Sequence, residues 1–224
     1  MTPRRRAARA QLDGVDAEAF RDRARALGVL GWVRPTGELH AEGLPEALDE
    51  LLAGLESERA KVEGHEQFAI RGVPAGVFVV QEHQATAHHY DFRLEVDGVM
   101  RSWAVPKGPS LDPAVKRMAI QVDDHGMAHN DYEGDTVIIW DRGSYEQGGR
   151  VAWPEALERG HAVFVLHGDK LSGGFALQRT GPPGPKAQWL LIKRKDDHAR
   201  PGSDITAERP ESVVSGRPLG AARP

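Results

Sequence analysis

"QEHQATAHHYDFRLEVDG", residues 81–98, decides how the second half of this chain is read. Side chains alternate between faces along a strand, so His89, Asp91, Arg93 and Glu95 point one way and Tyr90, Phe92 and Leu94 the other. The second set makes a core face. The first is a row of ligand-type and charged groups, richer in histidine than a solvated face requires. The same parity sends His88 to the core side, while His83, at the end of the preceding strand, folds over toward His89. Two imidazoles and a carboxylate leave coordination positions open for water and substrate, which suits a catalytic divalent ion and is incomplete for a structural one. Arg93 beside such a set has a planar fork that matches phosphate oxygens. The pattern alone leaves two readings open, a metal site and the polar face of a sheet, because short His/Asp patterns recur by chance.

Around this stretch the texture is that of short strands punctuated by Gly, Pro and Asp. VFVVQEH, HYDFRLEV, RSWAVP, RMAIQV, TVIIWDRG, HAVFVLHG, GGFALQR and QWLLIKR follow one another from Val77 to about Lys195. Even spacing of this kind predicts an antiparallel barrel or sandwich. PEALERG, residues 154–160, is the one short helix expected there, and TGPPGPKAQ is a loop. From Arg200 the chain offers little to bury and reads as a flexible tail over 200–224. Further cations stand at strand ends and turns: Lys107 in WAVPKGPS, Arg117 in VKRMAIQV, and His125 just beyond it.

The first part differs. RAARAQL reads as a strand, Ala17, Phe20, Ala24 and Leu27 recur at helical spacing, and Gly28 follows as a C-cap. GWVRPTGELHAEG reads as two strands joined by a Pro-Thr-Gly turn. Pro45 opens a second helix, whose stripe of Leu48, Leu51, Leu52 and Leu55 runs to about Ala60. HEQFAIRG is a final strand, and RGVPAG, residues 71–76, a hinge. The order β-α-β-β-α-β is the split plan of a ferredoxin-like α+β domain, expected over residues 1–72.

Composition sets the outer limits. The 224 residues are 40% hydrophobic and 28% charged, ordinary for a soluble globular protein. The basic N-terminus is followed by no apolar segment and no stretch is long enough to span a bilayer, so a cytoplasmic location is expected. With no cysteine, disulfides, zinc–thiolate sites and thiol catalysis are excluded. A net charge of −4 means that a nucleic-acid substrate would need a local positive patch.

FVVQEHQATAHHYDFRLEVDGVMRSWAVPKGPS, KRMAIQVDDH, TVIIWDRGSYE and QWLLIKRKDD together closely resemble the 3′-phosphoesterase domain of bacterial DNA ligase D, over residues 77–199. The family's pattern is present at His83, His89, Asp91, Arg93, Leu94 and Glu95. The resemblance implies a small closed antiparallel β-barrel that uses manganese to remove 3′-phosphates, and often a 3′-terminal ribonucleoside, from DNA ends. By position it implies metal ligation by His83, His89 and Asp91. Arg93 and His125 would contact the scissile phosphate, with Lys107 and Arg117 as further cations and Glu95 and Asp123 in support. There are departures. The family's Glu-Asp-His-Pro-x-x-Tyr reads DDHGMAH here, so Asp123 is shorter and His129 replaces a phosphate-site tyrosine. An Ile-Pro-x-Gly-x-Tyr-Gly-x-Gly stretch after Gly134 and the family's N-terminal arm have no match. ERPESVVSGRPL is similar to a segment that often follows the module.

Residues 20–55 and HEQFAIRG in turn resemble acylphosphatase. The loop DGVDAEAF lacks that family's phosphate-cradling arginine, and Pro35 stands where it has an asparagine to orient water. A non-catalytic domain is expected. The leading expectation for the whole is thus a metal-dependent phosphoesterase acting on DNA 3′ ends, with ligase, polymerase or Ku-type end-joining proteins as separate partners. The alternatives are a DNA-end-binding scaffold with weak or no catalysis, and a metal-dependent phosphatase for another phosphoester.

Overall fold

The computed structural model describes residues 4–221, with the side chain of His129 outside the described set. It divides into two compact units, residues up to Val73 with Gly148–Glu155, and Pro74–Gln147 with the chain from Ala156 onward.

The first unit is a five-stranded mixed sheet with two helices. Its elements are β1 (Arg6–Gln11), α1 (Ala17–Ala26), β2 (Leu30–Val33), β3 (Glu38–Gly43), α2 (Pro45–Leu51), β4 (Ser57–Ala60) and β5 (Phe68–Ile70). The sheet order is β4-β1-β3-β2-β5, antiparallel throughout except for β2 against β5. Asp16 caps α1, its Oδ1 accepting from the amides of Glu18 and Ala19 at 3.1 and 3.0 Å. Leu39 and Ala41 of β3 join Ala24, Val33, Leu48, Leu51 and Phe68 in a core between sheet and helices. The second helix is shorter than its leucine stripe predicts. It ends at Leu51, Gly54 adopts a left-handed φ of 83°, and residues 57–60 become an edge strand on β1 instead. A glycine in that conformation breaks the helix while Leu52 and Leu55 still reach the core from the turn.

The second unit is a closed eight-stranded antiparallel barrel. Its strands are β6 (Gly76–Gln84), β7 (His88–Val96), β8 (Val99–Val105), β9 (Lys116–His125), β10 (Val137–Gln147), β11 (His161–Gly168), β12 (Ser172–Arg179) and β13 (Gln188–Lys193). They close in the order β10-β11-β12-β13-β9-β8-β7-β6. Ring contacts between strands that are not neighbours mark the interior: Phe92 lies 5.9 Å from Phe164, and Trp103 lies 5.9 Å from Trp189. Tyr90, Phe92 and Leu94 therefore face the lumen, and His89, Asp91 and Arg93 lie on the outer wall. Asp97 and Gly98, both at positive φ, form the tight turn from β7 to β8. The short helix α3 (Glu155–Glu158) stands where PEALERG places it.

The expected tail is a correction. Residues 200–221 carry a one-turn helix, α4 (Ile205–Glu208), and bury Ile205 and Ser212 almost completely. Polar hooks do the work that apolar mass does elsewhere. Trp140 Nε1 donates to the carbonyl of Arg209 at 2.8 Å, and Lys170 Nζ donates to the carbonyls of Arg209 and Glu211. The Val213 amide bonds the carbonyl of Ile139 at 3.0 Å. Among the described residues no helix is long and apolar enough to cross a membrane.

Candidate metal centre

His83 is the last residue but one of β6 and His89 the second of β7, and the antiparallel register sets them directly opposite each other. Their rings lie 5.1 Å apart. Asp91, two residues on and on the same face, brings its Oδ1 to 3.4 Å from His89 Nε2 and its Oδ2 to 3.9 Å from His83 Nδ1. One donor atom from each of the three lies within 4.8 Å of the others. His89 Nδ1 meets the carbonyl of Ala87 at 2.9 Å, and a carbonyl only accepts, so Nδ1 carries the proton. Nε2 then turns a lone pair toward a carboxylate oxygen. A positive centre, a metal ion or the ring's own second proton, sits favourably between these atoms, and a backbone-anchored imidazole with Nδ1 protonated is the usual form of a metal ligand.

Arg93 extends the row. Its Nη2 donates to Asp91 Oδ2 at 3.0 Å and its Nη1 to Ser102 Oγ at 3.4 Å. Burial lowers the guanidinium pKa while the Asp91 charge and hydrogen bond raise it, and the group keeps its charge. Ser102, paired with Arg93 in the register, gives its own proton to the carbonyl of Met100 at 2.9 Å and meets His125 Nδ1 at 3.3 Å. Asp91, Arg93, Ser102 and His125 thus form one chain of polar contacts along the outer wall. Ser102 carries no sequence signal; only its register position against Arg93 identifies it.

Exposure falls along this row. The side chains of His83 and His89 are 35% and 22% accessible, those of Asp91 and Arg93 12% and 6%. The closed end is built from Val79, Met100 and Ile139 with Val213 of the C-terminal segment laid over them. Asn130 Nδ2 contacts Met100 Sδ at 3.3 Å, and Gln81 Nε2 donates to the carbonyl of Tyr132 at 3.1 Å. Metal-type ligands therefore meet solvent at one end, and an enclosed cation stands behind them.

The remaining predicted residues are placed differently. Glu95 shares the face but bonds the amide of Val77 at 3.0 Å, securing the start of β6. Lys107 is exposed in the turn after β8, and Asp123 is exposed on β9. Arg117 has the parity of Ala119 and of Gln121, which accepts from the lumen-facing Trp189, so it does not share the outer face. Its charge instead helps lower the pKa of Asp204, behind the hydrogen bond from Thr206. Among the described residues neither Lys107 nor Arg117 makes an ion pair or hydrogen bond with the triad. His129 lies in a 3-10 turn (Met127–Asp131), and its side chain lies outside the described residues. His88 is a correction to the parity reading. It is exposed at the barrel rim, where an inward-pointing residue meets the lumen mouth rather than the core, and its Nε2 pairs with Glu82 Oε1 at 2.7 Å.

Residues 81–179 match the family model of the DNA ligase D 3′-phosphoesterase domain. The chain is 49% identical over 159 residues to the multifunctional non-homologous end joining protein LigD of Pseudomonas aeruginosa, covering 63% of this chain and 18% of that protein. It is 41% identical over 128 residues to the Mycobacterium tuberculosis LigD (53% and 16%) and 37% identical over 139 residues to that of Mycolicibacterium smegmatis (55% and 18%). The chain thus spans under a fifth of the length of these curated relatives.

Proposed function

We propose that the barrel is a divalent-metal phosphoesterase that clears 3′-phosphate blocks from DNA ends during strand-break repair by non-homologous end joining. The observation that carries this is the His89 Nε2 lone pair facing Asp91 Oδ1, with His83 across the register, in a barrel whose family model is a 3′-phosphoesterase. The donor set of two imidazoles and one carboxylate fits a catalytic divalent ion, manganese by resemblance to the family. Held by His83, His89 and Asp91, such an ion would supply Lewis-acid polarisation of a phosphoryl oxygen and activation of water. The chain's own residues supply the rest. Asp91 is held in place by Arg93, whose charge offsets that of a phosphate brought to the open side. Ser102 accepts from His125 Nδ1 and so orients the ring, which can donate toward the phosphate or the leaving oxygen once it also carries a proton on Nε2.

We read the first unit as a ferredoxin-like, acylphosphatase-like domain without that activity. The β4-β1-β3-β2 run of its sheet supports the fold, and the absence of arginine from residues 13–20 supports the lack of catalysis. Ligase, polymerase and Ku-type end-joining activities are the partners that the resemblance to this part of LigD suggests.

The test is a panel of substrates: a 3′-phosphorylated primer–template, a 3′-ribonucleotide primer and a small aryl phosphate, each with manganese, magnesium, zinc or chelator. Manganese-dependent product from the DNA ends supports the proposal. Tight binding of ends without turnover in any metal would replace it with a scaffold role, and turnover of the aryl phosphate alone with a different phosphatase.

A further inference from the structure

The sheet of the first unit buries one face against its helices, as the apolar alternation of β3 requires. Its other face is not the solvated surface that this alternation leads one to expect. His40 and Glu42, the β3 residues that point away from the helices, are both 0% exposed, and His65 beside them is 1% exposed. They are covered by chain of the same unit. The Glu66 amide bonds the carbonyl of Arg150 at 2.9 Å, Arg150 Nη1 donates to the carbonyl of Glu63 at 2.6 Å, and Arg71 Nη2 to that of Gly149 at 2.8 Å.

A fully buried carboxylate between two buried imidazoles is costly unless something compensates it. Part of the compensation is visible. Glu42 accepts from the amides of Glu63, Gly64 and His65, and from His40 Nε2 at 3.0 Å. The imidazoles are less well served. His40 Nδ1 is buried with no hydrogen-bond partner. His65 Nε2 faces Glu63 Oε2 at 3.2 Å, which places its proton there and leaves Nδ1 a lone pair. Trp32 stacks beside the His40 ring with centroids 6.3 Å apart, and Arg34 and Arg71 lie over the Trp32 ring. One donor atom from each of His40, Glu42 and His65 lies within 4.8 Å of the other two.

We propose that His40, Glu42 and His65 form a second divalent-cation site, enclosed within the first unit, which takes zinc on three protein ligands with its fourth position left to water. Two imidazoles and a carboxylate suit zinc, and Glu63 behind His65 is the carboxylate–histidine arrangement that orients a ligating ring. The ion would join β3 to the 63–65 loop. Its burial sets it apart from the barrel cluster, where two imidazoles stay open to solvent.

The experiment uses the full chain carrying His83→Ala and His89→Ala, so that the barrel cluster cannot contribute. After chelation, reloading with zinc and desalting, metal content is measured, and thermal unfolding is followed with and without zinc. Cobalt is loaded in parallel to read the visible absorption of a low-coordinate site. We expect one zinc per chain, a rise in Tm of several degrees and a cobalt band. His65→Asn added to that background removes all three. Absence of bound zinc in the otherwise intact background overturns the proposal. So does zinc retained at full stoichiometry after His65→Asn and His40→Asn, and in either case Glu42 is simply a hook for the 63–65 loop. Folding of each variant is checked by far-UV circular dichroism, and the undisturbed triad of the background chain decides the question even if His65→Asn fails to fold.

Discussion

Asp91 is held on three sides: two imidazoles face its oxygens and Arg93 grips one of them from behind. Removing His83 or His89 takes away a metal ligand, and activity should fall by more than about a hundredfold, the upper range for loss of a supporting group alone. Arg93→Lys keeps the charge but loses the fork that spans Asp91 and Ser102. It should cost about ten- to a hundredfold in kcat, with manganese still bound in an equilibrium titration. An unchanged kcat would show that the fork is idle. The metal-type residues were legible because strand parity put His89, Asp91 and Arg93 on one face and the family pattern added His83. Ser102 was not, because the Arg93–Ser102 pairing depends on how two strands slide past each other. His88 was misread because parity gives a direction and not a depth.

At the level of elements, the C-terminal segment shows where hydrophobic patterning runs out. Its anchors are backbone carbonyls taken by Trp140 and Lys170, together with Glu133, which accepts from Ser212 Oγ and from the amide of Ile139. None of these has a periodicity. Burial opposes the Glu133 charge, but the hydrogen bonds from Ser212 and Ile139 outweigh it, so the carboxyl lies below its usual value of 4.5. A lowered folded-state pKa means stabilisation that is complete above the unfolded value and lost as pH falls through the folded one. Glu133→Gln should therefore destabilise the chain by about 1 kcal/mol at neutral pH in urea unfolding, and the difference from the parent should shrink as pH falls below 4.5. A gap that persists at low pH would mean that the charge is not what holds the segment. In the barrel, Gly143 gives a second test. A Cβ there would sit 2.1 Å from the carbonyl oxygen of His167 across the β10–β11 pair, so Gly143→Ala should cost about 1–3 kcal/mol in the same experiment.

For the whole molecule, the strands of the second unit were all visible as short runs between turn residues, but eight strands that each hide one face fit a sandwich as well as a barrel, and closure was implied only by the resemblance. The first unit was legible in its first five elements and in its last strand, but the edge strand over residues 57–60 was not, since the leucines of the second helix continue past the glycine that ends it. The packing of residues 63–65 against Glu42, and of Arg150 against that loop, could not be foreseen, because it joins stretches far apart in the chain. The central claim remains the phosphoesterase reading of the outer-wall triad. Its most direct test is single: release of inorganic phosphate from a 3′-phosphorylated primer–template by the parent chain and by His89→Ala, each with manganese and with chelator. The account predicts release by the parent with manganese alone. Equal release by His89→Ala, or release by the parent in chelator, would contradict it.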